Sequence, residues 1–124
     1  MFSFEEVADM LDEVAEEIPK EFFENLNGGV CLLPEAKFHE ADLAGNLYTL
    51  GEYHRDQMGR YIYIYYGSFC QSYPMLDRDA LRAELKRVLL HEFTHHMESQ
   101  AGERGLEYKD AKQIADYKRE WGNG

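Results

Sequence analysis

The stretch His91-Glu92-Phe93-Thr94-His95 has the pattern H-E-x-x-H, and it determines how the rest of the chain is interpreted. On an α-helix, residues four apart are separated by about 40° around the axis and by one turn along it. The imidazoles of His91 and His95 therefore point the same way on a helix and can bind one metal ion, and Glu92 can reach a water molecule beside that ion. The pattern predicts a zinc site in which Glu92 is the general base.

The residues around the motif favour a helix that begins near Asp77 or Asp79 and ends at Gly102, after about residue 101. His91 and His95 lie at the margin of its apolar stripe, whereas His96 lies within it and is expected to be packed or hydrogen-bonded in the core. The competing interpretation is a solvated helix face that happens to hold two histidines and a glutamate. The stripe consists of Leu81, Leu85, Val88, Leu89, Phe93 and Met97.

Two histidines do not complete a catalytic zinc site, which needs a third protein ligand and one open position. No histidine follows His96, so an acidic residue is expected to be the third ligand. Glu98 lies one turn beyond His95 and is displaced along the helix, so it is better placed to bond to a ligand than to act as one. The candidates, in order of expectation, are Glu103, which directly follows Gly102 where the chain can fold back, then Glu107 and Asp110.

The first half of the chain predicts helices followed by a short strand. Ser3 and Glu6 have the spacing of a capping box at the start of a helix over residues 3–18. A shorter helical piece is expected over residues 20–26, a strand over 30–33, and a loop over 34–45.

The second half predicts a β-hairpin before the motif helix. Strands are expected over residues 47–54 and 60–66, joined by a loop over 55–59. In the second strand Ile62 and Ile64 alternate with Tyr61, Tyr63 and Tyr65, so the isoleucines are expected to face the core. Residues 67–76 are predicted to be a connection, and residues 104–121 a last helix.

Composition indicates a single domain over residues 1–124. The net charge of −11, from 13 basic and 24 acidic residues, disfavours nucleic acid and anionic membranes as partners. No apolar run approaches the roughly 20 residues that span a membrane. Two cysteines do not make a disulfide framework, and Glu5 and Glu6 make the N-terminus unlike a secretory signal. A cytoplasmic location is therefore expected.

Several segments together resemble the small bacterial zincin-like metallopeptidase family, whose members are short chains with a minimal zincin core. The resemblance implies an α+β zincin-like fold, in which a small, mainly antiparallel sheet packs against the motif helix with N- and C-terminal helices around it. It also implies bound Zn²⁺ and hydrolysis of a peptide or protein substrate. The segments are Gly28-Gly29, Leu50-Gly51-Glu52-Tyr53-His54, Gly59-Arg60-Tyr61-Ile62, Tyr65-Tyr66-Gly67-Ser68-Phe69 and Leu90-His91-Glu92-Phe93-Thr94-His95-His96.

The sequence departs from the longer pattern of some members of that family, H-E-x-x-H-x-x-G-x-x-D, whose aspartate is taken as the third ligand. By plain spacing the glycine and aspartate positions hold Glu98 and Ala101. With one residue inserted, Gly102-Glu103 resembles the later part of the pattern, which favours Glu103 as the third metal ligand.

Two functions from other classes stand beside the peptidase. The small size and the departures at residues 98 and 101 suit a non-catalytic metal-binding adaptor or regulatory module. A third interpretation is a toxin–antitoxin or phage-type accessory protein that kept the fold and lost the metal.

Overall fold

The computed structural model describes residues 1–39 and 47–104, and the side chains of residues 1–39 and 47–102, and it has an α+β fold. The last helix is predicted over residues 104–121, and all of that range after Arg104 lies outside the described residues. The elements in chain order are α1 (Phe4–Glu16), a 3₁₀ turn (Lys20–Phe23), β1 (Gly29–Leu33), β2 (Lys37–Phe38), β3 (Tyr48–Thr49), β4 (Gly51–Asp56), β5 (Gly59–Tyr65), α2 (Tyr66–Ser72) and α3 (Arg78–Arg104).

The main sheet is mixed and has the strand order β1-β5-β4. Strand β5 pairs antiparallel with β4 and parallel with β1, while β2 and β3 form a separate antiparallel pair. The α+β class is confirmed. A mainly antiparallel sheet was expected, but β1 pairs parallel with β5. The apolar run at 30–33 does not indicate the direction of the strand.

The first helix begins as predicted. The Glu6 amide donates to Ser3 Oγ at 3.1 Å, and the Ser3 amide donates to a Glu6 carboxylate oxygen at 2.9 Å, which completes the capping box. Its apolar side is buried, and its acidic side pairs with α3, where Arg82 contacts both Glu13 and Glu17. Helix α1 is therefore fixed to α3 by both its apolar and its charged face.

The core lies between the helices and one face of the sheet. Ile62 and Ile64 are fully buried there, as their alternation with the tyrosines predicts. All six residues of the predicted apolar stripe of α3 are buried as well. Among the residues that the structure describes, no helix combines the length and the hydrophobicity that a membrane crossing requires.

The hairpin is tighter than predicted. Strands β4 and β5 are joined by only Gln57 and Met58, not by a five-residue loop. The Asp56 side chain accepts the Met58 amide at 2.8 Å, and Gly59 has a φ of 122°, which side-chain-bearing residues rarely adopt. The sequence prediction made the loop too long because it did not count this side-chain-stabilised turn.

Two further segments have a different secondary structure from the one predicted, because contacts with distant parts of the chain determine it. The predicted connection after β5 contains α2, in which Phe69 is fully buried and Ser68 accepts the Lys37 amide at 2.9 Å. The predicted loop over 34–45 contains β2, which pairs with β3. Residues 40–46 of that loop lie outside the described residues.

The motif helix does not end at Gly102. Asp77 caps its start as predicted, with Oδ1 accepting the Ala80 amide at 2.8 Å, and helix α3 then continues to Arg104. Gly102 is exposed and does not have the positive φ of a helix-terminating glycine. The interpretation of Gly102 as a helix stop is therefore wrong, because a glycine inside a helix is tolerated at a modest cost.

This correction predicts the effect of Gly102→Ala. No atom lies within 4 Å of a Cβ added at Gly102. The substitution is expected to raise the free energy of unfolding by about 0.5–1 kcal/mol, because alanine loses less backbone entropy in a helix. Urea denaturation measures the change. A loss of stability would instead place Gly102 in a left-handed helix cap.

Candidate metal centre and groove

Helix α3 holds His91 and His95 side by side on its exposed edge. Their Nε2 atoms are 3.2 Å apart, and their rings are perpendicular, with centroids 4.7 Å apart. Both residues are exposed, whereas Phe93 between them is fully buried. The two imidazoles therefore converge on one point, as the four-residue spacing predicts.

The spacing of the two nitrogens fits a shared zinc ion. Ligand nitrogens bound tetrahedrally at about 2.0–2.1 Å lie roughly 3.3 Å from each other. The observed separation of 3.2 Å is close to that value, and it also suits a hydrogen bond in which one ring donates its N–H to the other. The two rings thus fit the metal and need little movement to bind it.

Glu92 lies beside the histidines but is turned toward the sheet. It is 5% exposed, and a Cβ built on Gly51 of β4 would lie 3.4 Å from its Cγ. Glu92, His91 and His95 all line one groove. The carboxylate is thus held at the wall of the groove next to the paired imidazoles.

Strand β4 runs alongside α3 and contacts it at successive levels. Gly51 faces Val88 and Glu92, and the Tyr53 hydroxyl lies 2.9 Å from Nδ1 of His96. Further on, Arg55 donates to Ser99 at 3.3 Å. Two residues of a strand advance about 6.8 Å, and four residues of a helix advance about 6 Å. Every second residue of β4 can therefore contact the next turn of α3.

The groove between β4 and α3 has a volume of about 930 Å³. His91, Glu92 and His95 line its helix side, and Glu52 and His54 line its strand side. Because Glu52 and His54 alternate with Gly51 and Tyr53, the groove extends around the edge of β4 and reaches both faces of the sheet.

His96 is a core residue, as predicted. Its Nε2 lies 2.7 Å from the Glu24 carbonyl oxygen, which can only accept, so Nε2 carries the proton and Nδ1 accepts the hydroxyl of Tyr53. Burial lowers the pKa of His96 below 6.5, which favours this neutral form. His96 therefore anchors Tyr53, and with it strand β4, to the helix beside His91 and His95.

Sequence reasoning missed a polar cluster around Glu52 at the rim of the groove. The Glu52 carboxylate accepts Lys37 Nζ and the Tyr65 hydroxyl, each at 2.5 Å, and lies 3.1 Å from Nε2 of His54. Burial acts to raise the pKa of Glu52, but these hydrogen bonds outweigh it and the pKa is lowered. These contacts depend on the register of β4 and β5. The sequence alone could not predict that register, because the length of the hairpin turn determines it.

The third metal ligand is not found among the described side chains. Within residues 1–39 and 47–102, no group of three histidine, cysteine, aspartate or glutamate residues is placed to bind a metal. Glu98 lies 4.0 Å from Nδ1 of His95, on the side of the ring away from the paired Nε2 atoms, which agrees with a supporting role.

The continuous helix removes the main reason for preferring Glu103. The prediction assumed a chain reversal at Gly102, but the helix continues and Glu103 is about 12 Å beyond His95 along the axis. The side chain of Glu103, and all of Glu107 and Asp110, lie outside the described residues. The identity of the third ligand therefore stays a prediction.

The close approach of β4 to α3 at Gly51 predicts the effect of a methyl group there. A Cβ at residue 51 would lie 2.8 Å from Val88 Cγ1 and 3.1 Å from Ile64 Cδ1. Gly51→Ala is expected to lower the free energy of unfolding by about 1–3 kcal/mol, because both neighbours must shift within a packed core. Chemical denaturation measures it, with Gly102→Ala as the matched glycine control. Equal effects at the two glycines would contradict the proposed close contact.

The hydrogen bonds of Glu52 predict a pH dependence of stability. Because its folded pKa lies below the ordinary value of 4.5, its contribution is complete above about pH 4.5 and is lost as the pH falls through the folded pKa. Glu52→Gln should therefore flatten the decline in the free energy of unfolding between about pH 5 and pH 3. Exposed Glu16→Gln is the control. An unchanged slope in Glu52→Gln would show that these bonds do not stabilise the folded state.

A solved structure of a conserved hypothetical protein from Thermus thermophilus is similar to this chain. The two are 32% identical, with a TM-score of 0.71, and the match covers 82% of this chain and 99% of the other. No family model and no curated protein matches.

Proposed function

The chain belongs to the same family as the conserved hypothetical protein of Thermus thermophilus, and for this member we propose a function as a zinc-dependent metallopeptidase on a zincin-like fold. The observation that carries the proposal is the convergence of His91 and His95, with Nε2 atoms 3.2 Å apart, beside the buried carboxylate of Glu92 in a groove. Two imidazole ligands and an adjacent general base are part of what hydrolysis at zinc requires, and a third protein ligand would complete the site.

A bound zinc ion supplies a Lewis acid that polarises the peptide carbonyl and lowers the pKa of water. His91 and His95 would hold the ion through their Nε2 atoms, which lie 3.2 Å apart. Glu92 takes a proton from the attacking water and passes it to the leaving amine. Because Gly51 has no side chain, β4 can lie close to Glu92 and confine its carboxylate beside the histidines.

The substrate we propose is an extended peptide that lies in the groove between β4 and α3. His91, Glu92 and His95 line the helix side of this groove, so a peptide carbonyl held there would lie beside the two imidazoles and the general base. Glu52 and His54 line the opposite side and would contact the rest of the peptide.

We retain an acidic third ligand from the segment after Gly102, with Glu103, Glu107 and Asp110 as the candidates. We also propose the cytoplasm as the location of the protein. The absence of a disulfide between Cys31 and Cys70 is compatible with that reducing compartment.

Metal content and hydrolysis test the proposal together. Wild type purified without chelator should contain about one zinc per chain by mass spectrometry, and His95→Ala should lose it because one imidazole is removed. Glu92→Gln should keep the zinc and lose peptide hydrolysis by about 10²–10⁴-fold, because the amide cannot accept the proton. Full hydrolysis in Glu92→Gln would reject the role of Glu92, and no zinc in wild type after zinc is added back would reject the site.

The same metal measurement identifies the third ligand. Glu103→Gln, Glu107→Gln and Asp110→Asn each remove one charge at nearly constant size. The ligand is the residue whose substitution lowers zinc content as His95→Ala does, and the other two variants are its controls.

The second candidate is a metal-binding adaptor without turnover. It is favoured by the departures from the longer zinc-binding pattern at Glu98 and Ala101. Wild type that holds zinc, loses it in His95→Ala and cleaves no peptide in a random library would support the adaptor over the peptidase.

A further inference from the structure

We propose that one end of the groove is a subsite for a large apolar side chain, so that the protein cleaves peptides with such a residue on one particular side of the cut. This inference rests on the proposed peptidase function and names its substrate class. It follows from the uneven distribution of apolar and polar residues along the groove, on either side of His91 and His95.

The strand side and the helix side of the groove run in the same direction. At Gly51 strand β4 lies against Val88 of the helix. At Arg55 it lies against Ser99, because the Arg55 guanidinium donates to the Ser99 hydroxyl at 3.3 Å. The residues before Gly51 therefore belong to the same end of the groove as Val88, and those after it approach the end at Ser99.

The end at Val88 is apolar. Tyr48 and Leu50 line it together with Val88. The Phe38 ring stacks on the Tyr48 ring, with centroids 4.9 Å apart and an interplanar angle of 27°. Phe38 is directly opposite Tyr48 in the pairing of β2 with β3, and it is 57% exposed. These four residues, the apolar end of the groove, form a continuous surface of the kind that binds apolar groups.

The opposite end of the groove is polar. Glu98, Ser99 and His54 line it, and the Glu98 side chain is 58% exposed. Nε2 of His54 lies 3.1 Å from the Glu52 carboxylate. An apolar side chain placed there would displace water from these groups without replacing its hydrogen bonds, so it binds better at the apolar end.

Two basic side chains, Lys37 and Arg87, also line the groove near the apolar end. Each is bound to a carboxylate of the protein, because Lys37 donates to Glu52 and Arg87 donates to Glu84 at 2.8 Å. Their charges are therefore balanced without the substrate. The apolar surface, and not a positive charge, is expected to determine which substrate residue binds at this end.

The apolar end lies close to the proposed site of cleavage. Tyr48 is three residues before Gly51, which is a distance of at most about 11 Å. Gly51 in turn is level with Glu92, the proposed general base. A substrate side chain at the apolar end therefore belongs within about three residues of the cleaved bond. Because a peptide in the groove passes from one end to the other, the preference applies to one side of that bond only.

The test uses the zinc-loaded full chain and a random decapeptide pool. Cleavage products are expected to show phenylalanine, leucine and methionine enriched at one position within three residues of the cut, on one side only. A matched pair of peptides with phenylalanine or alanine at that position should differ in kcat/KM by about 5- to 10-fold. The difference should lie mainly in KM, because the buried area is the same in the bound substrate and in the transition state.

The variants separate a subsite from a general structural role. Phe38→Ala and Tyr48→Ala should each bring the phenylalanine-to-alanine ratio toward one, and Tyr48→Phe, which keeps the ring, should retain it. A purely structural role would lower kcat/KM for both peptides alike and leave the ratio unchanged. Because Phe38 is mostly exposed, Phe38→Ala is expected to fold even if Tyr48→Ala does not. Met58→Ala, which changes an exposed side chain outside the groove lining, is the control and should keep the wild-type ratio.

Two results would overturn the inference in different ways. Cleavage with equal apolar enrichment on both sides of the cut or none at all, or a preference that survives in Phe38→Ala and Tyr48→Ala, rejects the subsite and leaves the peptidase proposal standing. No cleavage of any peptide in the pool by zinc-loaded wild type rejects the proposed function, and the inference with it.

Discussion

The close contact between β4 and α3 at Gly51 is the constraint on which the candidate site depends. A single missing side chain allows the strand to approach Val88 and the Glu92 side chain. Beyond that contact the strand remains alongside the helix. The Tyr53 hydroxyl bonds to His96, and Arg55 bonds to Ser99. The groove and the burial of Glu92 both follow from this alignment. A larger residue at position 51 would separate the carboxylate from the strand that confines it.

What the sequence could predict was local in origin. The four-residue spacing of His91 and His95 predicted their convergence, because helical geometry fixes it within one turn. The capping residues Ser3 and Asp77 and the alternation of Ile62 and Ile64 were likewise correct, since each depends on neighbours a few residues away. These local patterns predicted both helices and strands, in agreement with the α+β class that the family resemblance implied.

What the sequence could not predict depends on contacts between distant segments. The parallel pairing of β1 with β5, and the docking of Ser68 in α2 against Lys37, join residues that are about 30 positions apart. The cluster around Glu52 needs the hairpin register and the β2 segment at once. Gly102 was misread for a different reason: glycine ends many helices but does not require them to end, and only the backbone φ distinguishes the two cases.

The position of the groove at the surface has a consequence for how copies of this protein behave toward each other. A second molecule that docks on this surface would cover His91 and His95 and keep other molecules out of the groove. The net charge of −11 opposes this encounter between like-charged copies. High salt screens that repulsion and therefore favours occlusion of the groove.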